Sequence, residues 1–147
     1  MIVLDASAVI DLLLALPPHG ATIAKLVRTH APHLFAPHLL DAEVAQVLRR
    51  RVLGGHLSAS DAVASLEVLG SLPITRYPHL PFIPRAFELR DNVAIYDALY
   101  LVIAEALGAT LVTRDAALES APGCRAVVRV LNGRHAPCRP GAGCARP

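Results

Sequence analysis

Short apolar runs alternate along this chain with longer stretches in which apolar positions recur every three or four residues, the pattern of buried strands separated by helices. Ile2-Val3-Leu4 reads as a buried first strand. It is followed by a helix through Ile10, Leu13 and Leu14 that Ser7 is placed to cap and that Pro17, Pro18 and Gly20 end. The spacing then predicts a helix over 21–29, a strand over 34–36 and a helix over 39–53 stopped by Gly54-Gly55. A further helix runs through Val63, Leu66 and Leu69 toward Pro73, capped by Ser58 or Ser60, and leads to a strand at 74–77. Pro78, Pro81 and Pro84 make the next stretch irregular before a helix over 85–89. The almost wholly apolar segment 95–107 is expected to be a buried helix stopped by Gly108, with strands at 110–112 and 127–130 after it. Strand and helix in alternation give the α/β class, a single three-layer domain with a central parallel sheet flanked by helices. The pattern fades near Gly133; residues 1–133 are assigned to the domain and 134–147, rich in Pro, Gly and Arg, to a disordered tail.

A chain of 147 residues suits one such domain, with enough core to fold unaided. The longest apolar runs are cut by Asp11 and Glu105, short of the roughly 18 residues of a membrane span. The first residues lack the basic segment and cleavage site of a secretory leader, so the cytoplasm is the expected compartment. Three cysteines, Cys124, Cys138 and Cys144, all fall late in the chain and cannot staple the body. The chain carries fourteen basic and twelve acidic residues, but Arg134, Arg139 and Arg146 lie in the tail, which leaves the body near −1. Any grip on nucleic acid must therefore come from a local patch, for which Arg49-Arg50-Arg51 is the candidate. A helix C-terminal turn favours such cations equally well.

Against this apolar background four acids stand out. Asp5 follows the first strand, Glu43 lies in the first turn of the helix at 39–53, Asp97 opens the apolar helix, and Asp115 follows Leu111-Val112-Thr113. Singly, each has an ordinary use as a cap, a first-turn acid or a turn former. Together they fall at element edges on one predicted side of the sheet, where α/β folds collect functional groups. Carboxylates about 5 Å apart repel by roughly 3 kcal/mol per pair at an effective dielectric near 20. A shared divalent cation removes that conflict, and an all-oxygen set suits a hard ion such as Mg2+ or Mn2+. Ser7 and Thr113 are placed to orient carboxylates, although cap and turn roles explain them as well. Arg114 is read as compensating the acids or touching substrate phosphate. Asp11, Asp41 and Glu105 are expected on solvated helix edges, with Asp41 near enough to Glu43 to support it. Tyr96 and Tyr100 flank Asp97 and are expected mainly to pack, with stacking on a base as the alternative. His30, His33 and His38 are irregularly spaced, and His135, Cys138 and Cys144 lack an obvious fourth ligand, so neither group reads as a metal site.

Asp5-Ala6-Ser7 after the first strand, Glu43 in Leu-Leu-Asp-Ala-Glu-Val-Ala, Tyr96-Asp97-Ala98-Leu99-Tyr100 and Leu-Val-Thr-Arg-Asp-Ala-Ala-Leu ending at Leu118 resemble the PIN domain family, and within it the VapC-type toxins. The resemblance spans residues 1 to about 131 with the four acidic segments in order. It implies a metal-dependent endoribonuclease that uses Mg2+ or Mn2+ on single-stranded RNA such as tRNA or rRNA, homodimerisation, and neutralisation by a VapB-like antitoxin. Residue by residue, it carries the family's acidic quartet onto Asp5, Glu43, Asp97 and Asp115, and its supporting hydroxyls onto Ser7 and Thr113. Two other uses of the scaffold are a housekeeping RNA-processing nuclease and a non-catalytic binding module. Dehalogenase-like phosphatases and response-regulator receivers also place an Asp after the first strand, but both need a later lysine. The only lysine here is Lys25. The helices at 39–53 and 58–70 form a pair suited to receive the antitoxin or a second protomer.

Overall fold

The computed structural model describes residues 1–131. The tail over 134–147 and the grouping of His135, Cys138 and Cys144 lie outside the described residues. Among those described, β1 (Ile2–Leu4), β2 (Leu34–Pro37), β3 (Ile74–Tyr77), β4 (Thr110–Thr113) and β5 (Val127–Val130) form one parallel sheet in the order β3-β2-β1-β4-β5. In register, Ile2 lies between Leu34 and Thr110. From β1 the chain builds outward through β2 and β3, then returns to the other side of β1 for β4 and β5. The reversal makes the β1/β4 boundary the switch point, and loops leaving the carboxyl ends of those strands diverge there to open a crevice.

Helices α1 (Ala6–Leu13), α2 (Gly20–His30), α3 (Leu39–Leu53), α4 (Ala59–Ser71), α5 (Ile83–Glu88) and α6 (Ile95–Leu107) cover both faces. Alternation along each strand feeds two cores. Ile2, Leu4, Leu34, Ala36 and Val112 pack with α1 to α4, whereas Val3, Leu111 and the half-buried Phe35 pack with α5 and α6. Strands enclosed on both sides have no polar face, which is why they read as continuous apolar runs. In α6, every residue from Ala98 to Ala104 is at most 3% exposed. No helix among the described residues is long and apolar enough to cross a membrane.

The caps follow local chemistry, with some departures from expectation. Asp5, not Ser7, caps α1: the helix starts one residue after the strand, and the Asp5 carboxylate accepts the Ser7 N–H at 2.9 Å. Ser58 caps α4 by accepting the Asp61 N–H at 3.0 Å. Gly108 closes α6 in the left-handed region at φ 58°, a conformation glycine reaches without Cβ strain. The prolines after β3 start structure instead of interrupting it. A 3₁₀ turn at Leu80–Phe82 and then α5 each carry proline within the first two positions, where no intrahelical N–H is needed. A second 3₁₀ turn, Ala116–Ser120, was not expected.

Gly20, the first residue of α2, packs directly on the end of α1. A Cβ there would lie 2.8 Å from both the Ala15 carbonyl carbon and the Asp11 carbonyl oxygen. Helix propensity alone favours alanine over glycine by about 1 kcal/mol, but overpacking against backbone costs about 1–3 kcal/mol. Gly20→Ala is therefore expected to lower the melting temperature, and an unchanged or raised transition in thermal denaturation contradicts this close approach.

Candidate active site at the carboxyl edge of the sheet

Asp5 leaves β1 at its carboxyl end and Asp115 stands two residues beyond β4, on the two sides of the switch point. Helix α6 runs back across the sheet to enter β4, so its N-terminal turn, with Asp97 as third residue, lies at the same edge. Helix α3 begins just after β2 and carries Glu43 there as well. Glu43 stands in the second turn; the acid of the first turn is Asp41, because α3 starts directly at Leu39. The Leu39 N–H is satisfied by the ring of His79, which accepts it at Nε2 over 2.9 Å.

Each carboxylate is held by a different device. One Asp5 oxygen accepts the Ser7 N–H, and the other accepts the Ser7 hydroxyl at 3.0 Å and the hydroxyl of Thr113, which is fully buried at the end of β4. Thr113 Oγ1 also accepts the Asp115 N–H at 3.0 Å, and Asp115 in turn accepts the Ala117 N–H at 2.8 Å. Ser7 and Thr113 thus link the ends of β1 and β4 through Asp5. Glu43 is fixed by Tyr100, whose hydroxyl donates to Glu43 Oε2 at 2.5 Å. Tyr100 is 2% exposed and sits one helical turn after Asp97, so α6 presents one acid and the donor for another. Packing was the main use expected of Tyr100, and its hydrogen bond was missed. A buried tyrosine at i+3 from a site acid is itself the available signal, because a buried hydroxyl needs a partner.

The electrostatics tie the four acids together. Burial, then the charges of Asp5 and Asp115, raise the pKa of Asp97. Glu43 is raised by burial, against the lowering by its Tyr100 bond, and then by Asp5 and Asp97. Tyr100 is pushed up by burial, by its bond to Glu43 and by the surrounding carboxylates, and stays a protonated donor. The donor set fits a hard divalent cation, being all oxygen and in mutual repulsion. Among the described residues no three His, Cys, Asp or Glu side chains are already gathered at the spacing of a metal cage.

Other expected residues fall elsewhere. Arg49, Arg50 and Arg51 lie six to eight residues beyond Glu43, roughly 9–12 Å along α3, and successive residues there point in different directions. Asp41 turns away from Glu43 and accepts from Arg76 at 2.8 Å. Asp11 is not on a solvated edge. It is 1% exposed and accepts from Arg114 Nη1 at 3.0 Å, which corrects the surface assignment for Asp11 and gives Arg114 an acid outside the quartet. Glu105, 12% exposed, is likewise drawn inward, accepting from both Nε and Nη2 of Arg85 and from the Arg125 N–H. In both cases an arginine from a distant part of the chain makes the burial tolerable. Tyr96 is exposed beside Asp97.

Two tests address this arrangement. Tyr100→Phe keeps the packing but removes the donor to Glu43; about 1 kcal/mol of stability and about tenfold in turnover are expected to be lost, measured by denaturation and RNA cleavage. The second concerns pH. Raised folded-state pKa values for Glu43 and Asp97 mean the folded state binds more protons, so their contribution to stability is present in acid and is lost as pH rises through those values. With chelator present, Asp97→Asn is expected to be more stable than the parent at pH 7, an advantage that shrinks toward pH 4. An advantage that stays constant with pH contradicts the assigned repulsion.

Comparison with known proteins agrees with this architecture. The PIN domain model matches residues 2–123. The chain is 41% identical over 130 residues to Ribonuclease VapC1 of Mycobacterium tuberculosis, covering 88% of this chain and 96% of that protein. It is 36% identical over 131 residues to Ribonuclease VapC12 of the same species, covering 89% and 99%. Among solved structures, PAE2754 from Pyrobaculum aerophilum superposes with a TM-score of 0.64 at 29% identity, covering 86% of this chain and 89% of that one. VapC20 of Mycobacterium tuberculosis, described as a toxin that cleaves the sarcin-ricin loop, shares the fold with a TM-score of 0.61 at 18% identity, covering 76% and 87%. The sheet order, the acidic edge and these matches place one conclusion beyond the resemblance: the chain belongs to the PIN domain family and, within it, to the VapC ribonucleases.

Proposed function

We propose that this protein is an endoribonuclease toxin that hydrolyses RNA phosphodiester bonds at the four-acid edge, with Asp5, Glu43, Asp97 and Asp115 holding Mg2+ or Mn2+. The observation that carries the reading is that acids from four separate segments meet at one edge, Asp5 and Asp115 joined through Thr113 and Glu43 held by Tyr100 from the helix of Asp97, with Glu43 and Asp97 both raised in pKa by burial first and then by charged neighbours. The chemistry that such an ion supplies when bound is acidification of a water and neutralisation of charge developing on the phosphate. The chain itself supplies orientation. Ser7 and Thr113 keep both Asp5 oxygens directed, Tyr100 holds Glu43, and the buried helix α6 carries Asp97 in its first turn. No side-chain nucleophile is required.

The fold relative described as cleaving the sarcin-ricin loop supports an exposed single-stranded loop of a structured RNA, tRNA or rRNA, as substrate, because unstacked bases there are open to contact. Tyr96, 65% exposed beside Asp97, is suited to stack on a base. Arg49, Arg50 and Arg51 are assigned a supporting contact to more distant phosphates. RNA cleavage of this kind belongs in the cytoplasm. The VapC relatives support pairing with a VapB-like antitoxin, and exposed Val63 and Leu66 on α4 with Leu53 at the end of α3 support that contact or a homodimer.

Asp5→Asn is expected to abolish cleavage of total cellular RNA in Mn2+ while the folded content by circular dichroism stays unchanged; retained cleavage removes Asp5 from the chemistry. An ion bound only by the folded state stabilises it, by about 2.7 kcal/mol at a concentration 100 times its dissociation constant. Mn2+ at matched ionic strength is therefore expected to raise the melting temperature by several degrees, and no shift argues against a cation among these acids.

A further inference from the structure

Asp11 is a costly residue to keep. Its side chain is 1% exposed, one oxygen accepts from Arg114 at 3.0 Å, and Oδ2 has no hydrogen-bond partner among the described residues. An apolar residue of similar size is often at least as stable in such a place, so stability does not account for a carboxylate there. Its partner stands between Thr113 and Asp115 and is tied to α1 twice. The Arg114 main-chain N–H donates to Ser7 Oγ at 3.0 Å, beside Asp5, and its guanidinium donates to Asp11. Ser7 and Asp11 are four residues apart on one face of α1, so Arg114 lies along that face over roughly 6 Å. Its side chain is 45% open to solvent.

A polyanion approaching four carboxylates on a body of net charge near −1 meets repulsion unless a cation is fixed at the rim. We propose that Asp11 is a positioning residue that holds Arg114 as the contact for an RNA backbone phosphate adjoining the one cut. This rests on the four-acid reading of the site. The carboxylate aims the guanidinium without itself reaching RNA, and the main-chain bond to Ser7 keeps the phosphate contact in fixed relation to Asp5.

The test uses the full chain with Mn2+ and the segment it cuts in total cellular RNA, remade as an oligoribonucleotide. Asp11→Asn, Asp11→Leu and Arg114→Gln are each expected to raise KM fivefold to tenfold with kcat changed less than twofold. Each is expected to flatten the slope of log KM against log salt by about 0.7, the loss of one single-strand phosphate contact. Arg114→Lys is expected to restore the slope in part, and Asp11→Leu with Arg114→Gln to be no worse than either alone. Asp11→Leu is included because an apolar side chain suits the buried position; if that variant folds and keeps the parental KM and salt slope, the proposal is overturned. Additive effects of the two sites, or losses that merely follow melting temperature with the salt slope unchanged, overturn it too. An inactive Asp5→Asn beside unaffected Asp11 variants leaves the four-acid reading standing and removes this one; an active Asp5→Asn removes both.

Discussion

Four carboxylates drawn to one edge of a sheet repel, and most of the local structure around the switch point acts against that repulsion. Burial and then neighbouring acid charges raise the pKa of both Glu43 and Asp97, whereas a hydrogen bond to a charged group contributes about 1.5–3 kcal/mol. Bonds of that kind offset the repulsion where several converge. Asp5 receives three, from the Ser7 N–H, the Ser7 hydroxyl and the Thr113 hydroxyl. Glu43 receives the Tyr100 hydroxyl and remains raised in pKa, as does Asp97.

The fold makes this arrangement rigid. β1 and β4 are buried from both faces, so the ends from which Asp5, Thr113 and Asp115 emerge cannot shift without disturbing two cores. Helix α6, enclosed on every side from Ala98 to Ala104, fixes Asp97 and Tyr100 in the same way. Glu43 reaches the edge from α3, whose first N–H is held by His79 from the far side of β3. A site assembled from the ends of buried elements is positioned more closely than one carried on free loops.

Charge beyond the quartet is arranged in local pairs. Asp41 with Arg76, Glu105 with Arg85 and Asp11 with Arg114 each set an acid against an arginine from a distant part of the chain. The first ties α3 to β3 and the second α5 to α6. The third touches the four-acid edge through the main chain of Arg114, whose N–H donates to Ser7 beside Asp5.

Most of the architecture was legible in the order of residues. Strand and helix positions follow from local periodicity, glycine and proline stops and the continuous apolar runs of doubly covered strands, all properties of near neighbours in the chain. Asp5, Asp97 and Asp115 stand at element ends as their interruption of apolar runs indicates, whereas Glu43 lies one turn deeper in its helix than the sequence placed it. What the sequence could not decide was partnership through space. Tyr100 and Glu43 are 57 residues apart, Arg114 and Asp11 are 103, and Thr113 and Asp5 are 108. Nothing in a local pattern separates an acid on a solvated helix edge from one turned inward onto an arginine, because both carry the same spacing and differ only in what the fold brings opposite. Tertiary structure alone settled Asp11 and Glu105, since burial of a charge depends on a counter-charge that the chain supplies from elsewhere.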